Sequence, residues 1–362
     1  VLSYMNILHI APEYKWSKIF ILPIANYQIQ QGNEVWISTP NALENTSELD
    51  EAKFVSWNSK YKNIFKHIGR LFLILKMVHK YKINKIYFHT TVDSTLNIFI
   101  LRLFSSAHLV YVNHGVPYLG YSSIMQYILK LCEIININFS HRSITITQSM
   151  KQLLGPLNYK KKEITALIPG TLVGVKIPYS SYTDLQSARA LLKTNSDNSI
   201  LKILYVGRLE HRKGIYDLIE AINHTNLNCE LTVLGGTANE LETELDLSKV
   251  KFEGFQSDLR SYYLNADLLC VPSHHEGFGQ VYLEAAAHGV IPVCCNIPGP
   301  TDFIKHNSNG FIVDAKSPDS ILELFEEINL KKFDLDAIQK RAFESVQAYE
   351  SSQVISNNMD HF

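Results

Sequence analysis

Short runs of β-branched and aromatic residues alternate with segments of helical period along the whole chain. Such alternation is typical of βαβ units, in which helices join parallel strands. In the first half, strands are predicted at residues 6–10, 34–39, 53–57, 85–89, 109–114, 144–148 and 164–169. In the second half, they are predicted at residues 202–207, 230–235, 251–255, 267–272, 291–295 and 310–313. The pattern therefore predicts two doubly wound parallel sheets, which bind ligands beyond the carboxyl ends of their strands.

A chain of 362 residues that is 46% apolar can bury two cores, so we expect two domains. The first is predicted at residues 1–177 and the second at 200–345. Residues 178–199 are rich in Ser, Tyr, Thr and Asn and are predicted to form the linker. The tail at 346–362 is expected to pack back toward the first domain.

Charge is unevenly distributed along the chain. Residues 1–180 carry 19 Lys and Arg against 9 Asp and Glu, whereas the remainder carries 15 against 26. Either the two halves meet different partners, or surface charge has simply drifted. The five cysteines form no C-x-x-C pair, which indicates a reducing compartment and no structural zinc. With no apolar run of spanning length and no signal peptide at the start, we expect a cytoplasmic protein.

A basic loop follows the first strand of the second domain. Gly207 and Arg208 stand at the predicted strand end, and Lys213 precedes a helix that starts near Ile215. Two cations at a strand end and a helix amino end could hold a diphosphate. The alternative is a solvated basic turn beside Glu210.

A second strand, loop and helix unit carries more information. The loop Glu276-Gly277-Phe278-Gly279 leads into a helix that begins at Gln280. The glycines let backbone N–H groups approach a ligand, and the helix directs its positive end toward the same point. Glu284 lies about one turn into the helix, so Glu276 could reach a sugar and Glu284 a ribose.

With these motifs, the second domain resembles the retaining glycosyltransferases of group 1 (family 4), which have the GT-B fold. Further matching pieces are Val233-Leu-Gly-Gly236, Ile297-Pro-Gly-Pro300 and Gly310-Phe-Ile-Val313. The resemblance implies two Rossmann-like doubly wound parallel-sheet domains that face a cleft, the second binding the donor and the first the acceptor. It implies catalytic roles for Glu276, Arg208, Lys213 and His114. It implies that the donor is bound by Gly207, Arg208, Lys213, Gly277, Phe278, Gly279, Gln280 and Glu284, with Val250–Phe255 near the base.

The resemblance also implies a reaction. A hexosyl or N-acetylhexosaminyl group would pass, with retention and without a metal or other cofactor, from a nucleotide-sugar to an acceptor. A UDP-sugar is the favoured donor, and the acceptor is expected to be a saccharide, free or linked to polyprenyl diphosphate, in bacterial surface polysaccharide synthesis. No nucleic-acid partner is expected. A GT-B epimerase or phosphorylase, or a non-catalytic nucleotide-sugar-binding protein, remains an alternative.

The first domain matches the family less closely. Asn113-His114-Gly115 directly follows a predicted strand, and His114 resembles the family's sugar-contacting histidine. The loop after the family's first strand usually contains two glycines, yet residues 11–18 contain none.

Two motifs suggest a metal site and are interpreted otherwise. Asp334-Leu-Asp336 matches the Asp-x-Asp string of metal-dependent transferases but lies away from any predicted strand end. His274 and His275 are adjacent but lack a third ligand at usable spacing. A dehydrogenase is disfavoured because Gly277-Phe-Gly279 is followed by Tyr282 where a third glycine is needed.

Residues 60–82 form a basic segment with no acidic residue. At helical spacing, Ile64, Ile68, Leu71, Leu75 and Val78 share one face. The flanking cations are Lys62, Lys66, Arg70, Lys76 and Lys80. The pattern predicts a helix that either binds the anionic inner face of the cell membrane or packs its apolar stripe into the core.

Overall fold

The computed structural model describes residues 4–40, 52–57, 64–193, 199–242 and 244–362. It divides into two compact units, Val1–Val173 with Val354–Phe362, and Gly174–Gln353. The units contain parallel sheets of seven and six strands. The predicted α/β class with two doubly wound parallel sheets is therefore confirmed.

The sheet of the first unit has the order β3-β2-β1-β4-β5-β6-β7. Its strands are β1 (Asn6–Ile10), β2 (Glu34–Pro40), β3 (Lys53–Trp57), β4 (Lys85–Phe88), β5 (His108–Asn113), β6 (Arg142–Thr145) and β7 (Glu163–Ala166). The strand order reverses between β1 and β4, which is where a doubly wound sheet opens a ligand crevice. Ile7, Leu8 and Ile10 of β1 are almost wholly buried, as expected for a strand covered on both faces.

Helices connect these strands. They are α1 (Tyr14–Phe20), α2 (Leu22–Gln30), α3 (Ile64–Tyr81), α4 (Val92–Phe104), α5 (Ser123–Phe139) and α6 (Gln148–Leu154). Local signals fix their ends: Pro23 lies in the first turn of α2, where its missing N–H is not needed. Thr147 caps α6 by accepting a hydrogen bond from the Met150 N–H at 3.2 Å.

Helix α3 contains most of the basic segment at 60–82. Ile74 and Met77 are buried, and Leu71, Leu75 and Val78 are half-buried, so the apolar side packs into the first unit. Arg70 is only 1% exposed, and its guanidinium pairs with Asp93 at 3.1 Å and donates to the Ala11 carbonyl at 3.0 Å. The prediction that Arg70 flanks a lipid-binding face is therefore wrong. Residues 60–63 and the side chains of 64–68 lie outside the described residues.

The sheet of the second unit has the order β10-β9-β8-β11-β12-β13. Its strands are β8 (Leu201–Val206), β9 (Cys229–Leu234), β10 (Val250–Gly254), β11 (Leu268–Cys270), β12 (Ile291–Cys295) and β13 (Phe311–Val313). The order reverses between β8 and β11, so the loops after these two strands meet at the crevice.

The second unit is helix-rich. Its helices are α7 (Tyr182–Lys193), α8 (Ile215–His224), α9 (Arg260–Asn265), α10 (Gln280–Ala287), α11 (Pro300–Phe303), α12 (Pro318–Asn329) and α13 (Leu335–Val346). Helix α14 (Ser351–Asn358) begins in this unit and belongs to the first unit from Val354 onward. No helix in the described ranges is long and apolar enough to cross a membrane.

The segment at 178–199 differs from the linker that its polar composition predicts. It contains α7, whose Leu185 is fully buried in a cluster with Leu264 and Phe343. Arg189 of α7 donates hydrogen bonds to the carbonyls of Ala266 at 2.6 Å and His288 at 3.0 Å. These apolar and polar contacts hold α7 within the second unit.

The end of the chain belongs to the first unit from Val354 onward. The Asn358 side chain donates to the carbonyls of Thr171 and Leu172, both at 2.9 Å. The Phe362 ring stacks on Tyr87, with the ring centroids 5.2 Å apart. Thus only the last part of the predicted tail at 346–362 packs in the first unit, because Tyr349 instead contacts Phe278 and Phe303.

Candidate active site

The loops after β8 and β11 come together in the second unit. Gly214 has a φ of +70°, and a Cβ at this position would lie 2.0 Å from the carbonyl oxygen of Pro272. Only glycine allows this close approach of the two loops. The approach brings Lys213 beside Glu276, and the two side chains form an ion pair in which they are 18% and 19% exposed. Two residues that are 63 positions apart in sequence thus meet at the predicted crevice.

Arg208 lies on the same loop in a more open position. Its side chain is 64% exposed and pairs with Glu210 at 2.7 Å, and Glu210 also accepts from Arg212 at 2.7 Å. Burial alone would raise the pKa of Glu210, but the hydrogen bond from Arg212 and the surrounding cations bring it below its ordinary value. Arg208 therefore has the surroundings of a solvated turn, whereas the partly buried Lys213 does not.

The glycine-rich loop after β11 presents its backbone. Phe278 is buried and packs on Tyr349 with the ring centroids 5.8 Å apart, so its ring belongs to the core. Gly279 has a φ of +86°, and a Cβ there would lie 2.3 Å from the Tyr282 ring. Helix α10 begins at Gln280, whose amide donates to the Gly174 carbonyl. Backbone groups at 277–279 and a helix amino end thus lie beside Glu276, an arrangement that suits an anion or a sugar hydroxyl.

Glu284 lies one turn into α10 and is held by Tyr263. The Tyr263 hydroxyl donates to Oε2 of Glu284 at 2.9 Å, and the Tyr263 ring stacks on His288. Burial raises the pKa of Glu284 above its ordinary value, against the opposing effect of this hydrogen bond. A carboxyl group fixed through one oxygen can still accept from a ligand hydroxyl through the other.

The motifs that suggested a metal have other partners. Asp334 caps α13 by accepting from the Ala337 N–H at 3.0 Å. His274 pairs through Nε2 with Asp217 at 2.7 Å. Within the described part of the chain, no group of three or more His, Cys, Asp or Glu side chains could hold a metal ion.

His114, the candidate in the first unit, is the end of a histidine chain. Its Nε2 lies 2.9 Å from Nδ1 of His89, and Nε2 of His89 lies 3.0 Å from Nδ1 of His9. Nε2 of His9 lies 2.9 Å from Oε1 of Gln28. The three histidines lie at the carboxyl ends of β1, β4 and β5, which are neighbours in the sheet.

Burial keeps this histidine chain neutral. It lowers the pKa of His9 to about 4 and that of His114 to about 3, and it lowers the pKa of His89 well below its ordinary value. Trp16 of α1, within the segment 11–18 that lacks glycine, packs edge-on against His114 with the ring centroids 4.7 Å apart. The helix that follows β1 thus contributes an indole ring to this site.

A buried carboxyl group lies behind His114. Glu133 of α5 is fully buried and accepts from the Tyr111 hydroxyl at 3.0 Å and from the Thr91 hydroxyl at 3.1 Å. Nδ2 of Asn113, the residue before His114, also donates to Glu133 at 3.1 Å. Burial raises the pKa of Glu133 to about 8, so its neutral form is favoured at neutral pH. The network fixes the strand end that carries His114.

The structure thus places Lys213 against Glu276 and puts Arg208, the glycine-rich loop and Glu284 on neighbouring elements. Sequence reasoning missed His9, His89, Gln28 and Glu133. A signal for the histidines was present, since three predicted strands each carry a histidine at or next to the carboxyl end.

The fold and these loops define the class of protein. Two parallel-sheet α/β units, with charged and glycine-rich loops at the strand ends of the second, are those of a GT-B glycosyltransferase. Sucrose-phosphate synthase from Thermosynechococcus elongatus has a TM-score of 0.80 at 18% identity, over 99% of this chain and 98% of that chain. Anabaena HepE, solved in complex with UDP and glucose, has a TM-score of 0.75 at 17% identity, over 99% of each chain. At these identities the similarity establishes the fold.

The family follows from the sequence comparisons. The family model for glycosyl transferases group 1 matches residues 191–344, which lie in the second unit. The capsular polysaccharide biosynthesis glycosyltransferase CapM of Staphylococcus aureus is 27% identical over 264 residues, which cover 69% of this chain and 68% of CapM. The lipopolysaccharide core biosynthesis glycosyltransferase LpsE of Rhizobium meliloti is 29% identical over 175 residues, 47% of this chain and about half of LpsE. The chain is a glycosyltransferase related to enzymes of capsule and lipopolysaccharide biosynthesis.

Proposed function

We propose that this protein transfers a hexosyl or N-acetylhexosaminyl group from a nucleotide-sugar, with a UDP-sugar favoured, to a glycan or lipid-linked saccharide of a bacterial surface polysaccharide. The ion pair between Lys213 and Glu276 carries the proposal, because it joins a cation for phosphate to a carboxylate for sugar hydroxyls. Anabaena HepE, which has the same fold, is solved with UDP-glucose, and this favours UDP as the nucleotide. The relation to CapM and LpsE supports the choice of acceptor.

In this proposal the departing diphosphate is held by side-chain cations and backbone groups. Arg208 is exposed enough to turn from Glu210 to a phosphate, and its planar fork suits two phosphate oxygens. The amino ends of α8 and α10 add their dipoles. Negative charge grows on the diphosphate as the sugar bond breaks, so fixed positive groups stabilise the transition state more than the ground state. These groups would perform the task that a metal ion performs in metal-dependent transferases.

Lys213 has a double role in this mechanism. An ammonium has three N–H donors, so Lys213 can hold Glu276 and a phosphate oxygen at the same time. Glu276 would then orient hydroxyls of the transferred sugar, while Glu284 binds the ribose. The leaving phosphate would take the acceptor's proton on the face that it vacates, which gives retention. Phe255, 83% exposed at the end of β10, offers an aromatic face for the base.

The experiment compares Lys213→Ala with Lys340→Ala. Lys340 pairs with Glu344 at 3.7 Å on α13 and is the matched control for a lysine in an ion pair. A thermal-shift panel of UDP-, GDP- and ADP-sugars selects the donor, and nucleotide release with a saccharide acceptor measures the rate. We expect Lys213→Ala to lose a factor of about a hundred or more in kcat, Lys340→Ala to match the wild type, and EDTA to have no effect.

Other results would contradict parts of the proposal. Near-normal turnover by Lys213→Ala, or loss of activity in EDTA that Mg²⁺ restores, would remove the cation mechanism. Donor binding without nucleotide release for any acceptor would indicate a sensor. A β-linked product from an α-linked donor, read from the anomeric coupling by NMR, would contradict retention.

We further propose that the acceptor is met at an anionic membrane surface, through α4 and α5 instead of α3. On the solvent side these helices carry exposed apolar side chains, namely Phe99, Leu103, Phe104, Ile124, Tyr127, Ile128 and Leu131. The four on α5 recur at helical spacing and so share one face. The first unit has 18 Lys and Arg against 10 Asp and Glu, so anionic lipid complements its charge, whereas a second copy would repel it.

Vesicle sedimentation tests this surface. Phosphatidylcholine vesicles with a rising fraction of phosphatidylglycerol are mixed with the wild type or with a Leu103→Gln, Ile124→Gln, Leu131→Gln triple variant. Phe72→Gln is the control, because Phe72 is 68% exposed on α3. We expect the triple variant to bind several-fold more weakly and the control to bind normally. Loss of binding in Phe72→Gln alone would indicate that α3, and not α4 and α5, contacts the membrane. No binding by the wild type at low salt would contradict the membrane proposal but leave the transferase proposal unaffected.

A further inference from the structure

Neutral imidazoles that are linked ring nitrogen to ring nitrogen must order their protons together. In each link of the chain from His9 to His114, one nitrogen must carry the proton and the other must accept it. A reversal at one link alone would place two N–H groups, or two lone pairs, face to face. Only two proton orders therefore satisfy both links, and they are opposite in direction.

Gln28 distinguishes the two orders. Its Oε1 lies 2.9 Å from Nε2 of His9, and an amide oxygen can only accept a hydrogen bond. Nε2 of His9 must then donate, which leaves Nδ1 of His9 to accept from Nε2 of His89. In the same way, Nδ1 of His89 accepts from Nε2 of His114.

We propose that Gln28, acting through His9 and His89, fixes His114 in the tautomer that carries its proton on Nε2 and presents Nδ1 as a hydrogen-bond acceptor. Gln28, His9 and His89 are positioning residues in this inference. Only the last step, in which Nδ1 of His114 receives a hydrogen bond from a substrate hydroxyl, rests on the proposed function.

The packing around the chain supports a fixed tautomer. His9 and Gln28 are 0% and 4% exposed, so water has little access to the Gln28 end of the histidine chain. Tyr87 stacks on His9 with the ring centroids 4.7 Å apart and the planes within 12°. Trp16 meets His114 at an interplanar angle of 86°, which restricts rotation of the imidazole. A flip of a ring would break the link on either side of it.

The tautomer also specifies what His114 can bind. A bare imidazole nitrogen repels a phosphate oxygen, because both atoms carry lone pairs, but it accepts a hydrogen bond from a neutral hydroxyl. Burial keeps the imidazoles unprotonated, so none of them offers a positive charge to an anion. The ligand group at His114 is therefore an alcohol O–H of a sugar and not the diphosphate.

Histidine ¹⁵N NMR reads the tautomer directly, because protonated and unprotonated ring nitrogens differ widely in chemical shift. The 362-residue protein, with its 14 histidines labelled, is compared with Gln28→Met. Gln30→Met, an exposed substitution on the same helix α2, is the matched control. Loss of single signals in His9→Asn, His89→Asn and His114→Asn assigns the spectrum.

In the wild type and in Gln30→Met, we expect Nδ1 of His114 to be unprotonated and Nε2 protonated. In Gln28→Met, the ring-nitrogen signals of all three histidines should shift together toward the average of the protonated and unprotonated values. A purely local packing defect beside His9 would not produce this change. If the two orders become equally populated, the competent fraction halves and kcat/KM falls about twofold.

A protonated Nδ1 on His114 of the wild type would overturn the inference. So would a Gln28→Met spectrum in which only His9 changes. The wild-type spectrum alone decides the tautomer if Gln28→Met fails to fold. Because this measurement needs no turnover, failure of the proposed transferase activity leaves it intact.

Discussion

Replacing Glu133 by glutamine removes the carboxyl group from the network behind His114 and keeps its shape. Burial raises the pKa of Glu133 from 4.5 to about 8 in the folded protein. A raised folded-state pKa contributes stability that is complete below about pH 4.5 and is lost as the pH rises through about 8. Between about pH 6 and about pH 9, the free energy of unfolding of the wild type should fall by about 3 kcal/mol, which corresponds to about two pKa units.

Glutamine does not ionise, so the Glu133→Gln variant should not show this loss. Its carbonyl oxygen can still accept from Tyr111 or Asn113, which makes it similar to the protonated wild type near pH 6. Calorimetry across this pH range should show the Tm of the variant rising relative to the wild type by roughly 6–12 °C. Glu163→Gln, whose side chain is 63% exposed, is the control and should show no such trend.

Parallel Tm curves for the wild type and Glu133→Gln would contradict this prediction, since Glu133 would then be ionised throughout. A variant that is less stable than the wild type by the same amount at every pH from about 6 to about 9 would do so as well. Such a variant would mean that the hydrogen bonds from Tyr111, Thr91 and Asn113 stabilise the carboxylate more than burial destabilises it.

Three further changes test other parts of the site. In Gly214→Ala, the new Cβ would lie 2.0 Å from the Pro272 oxygen, so the two loops should separate, the rate should fall at least tenfold and the Tm should fall. In the control Gly69→Ala, the Cβ meets nothing within 4 Å, so the rate and the Tm should stay unchanged. Asp334→Ala should remove a helix cap worth about 1 kcal/mol in chemical denaturation but leave the rate in EDTA unchanged, and a dependence of the rate on Asp334 would restore the metal interpretation. Glu284→Gln should raise the KM for the donor more than it lowers kcat, because a ribose contact is the same in the ground and transition states; a fall in kcat alone would place Glu284 at the reacting sugar.

The fold could be predicted from the sequence because the central strands of a parallel sheet are buried on both faces and read as short apolar runs. Strands 6–10, 53–57 and 291–295 were predicted with the bounds that the structure has. The predicted strand at 144–148 was displaced because Thr147 begins a helix cap, which ends the strand at Thr145. A cap and a strand end both favour threonine, so composition alone could not separate them.

At residues 178–199, polar composition predicts a linker where the structure contains α7. A helix that packs through few side chains needs few apolar residues, and α7 depends on Leu185 and on the hydrogen bonds of Arg189. Arg70 in α3 shows the same effect, since a basic residue on a basic helix suggested lipid but is buried against Asp93. Long-range pairing of single charges leaves no periodic trace in a sequence, so only the structure reveals it.

The chemistry of the two units matches the two kinds of group that a sugar transfer involves. In the second unit, the candidate site is charged: Lys213 and Arg208 suit an anionic diphosphate, and Glu276, paired with Lys213, suits sugar hydroxyls. In the first unit, the candidate site consists of neutral imidazoles and a carboxyl group whose burial favours its neutral form. A neutral acceptor such as His114 can orient a hydroxyl without attracting the phosphate that the loops of the second unit are proposed to hold. In the proposed function, each unit would therefore bind a different substrate group, and its side chains would not suit the group that the other unit binds.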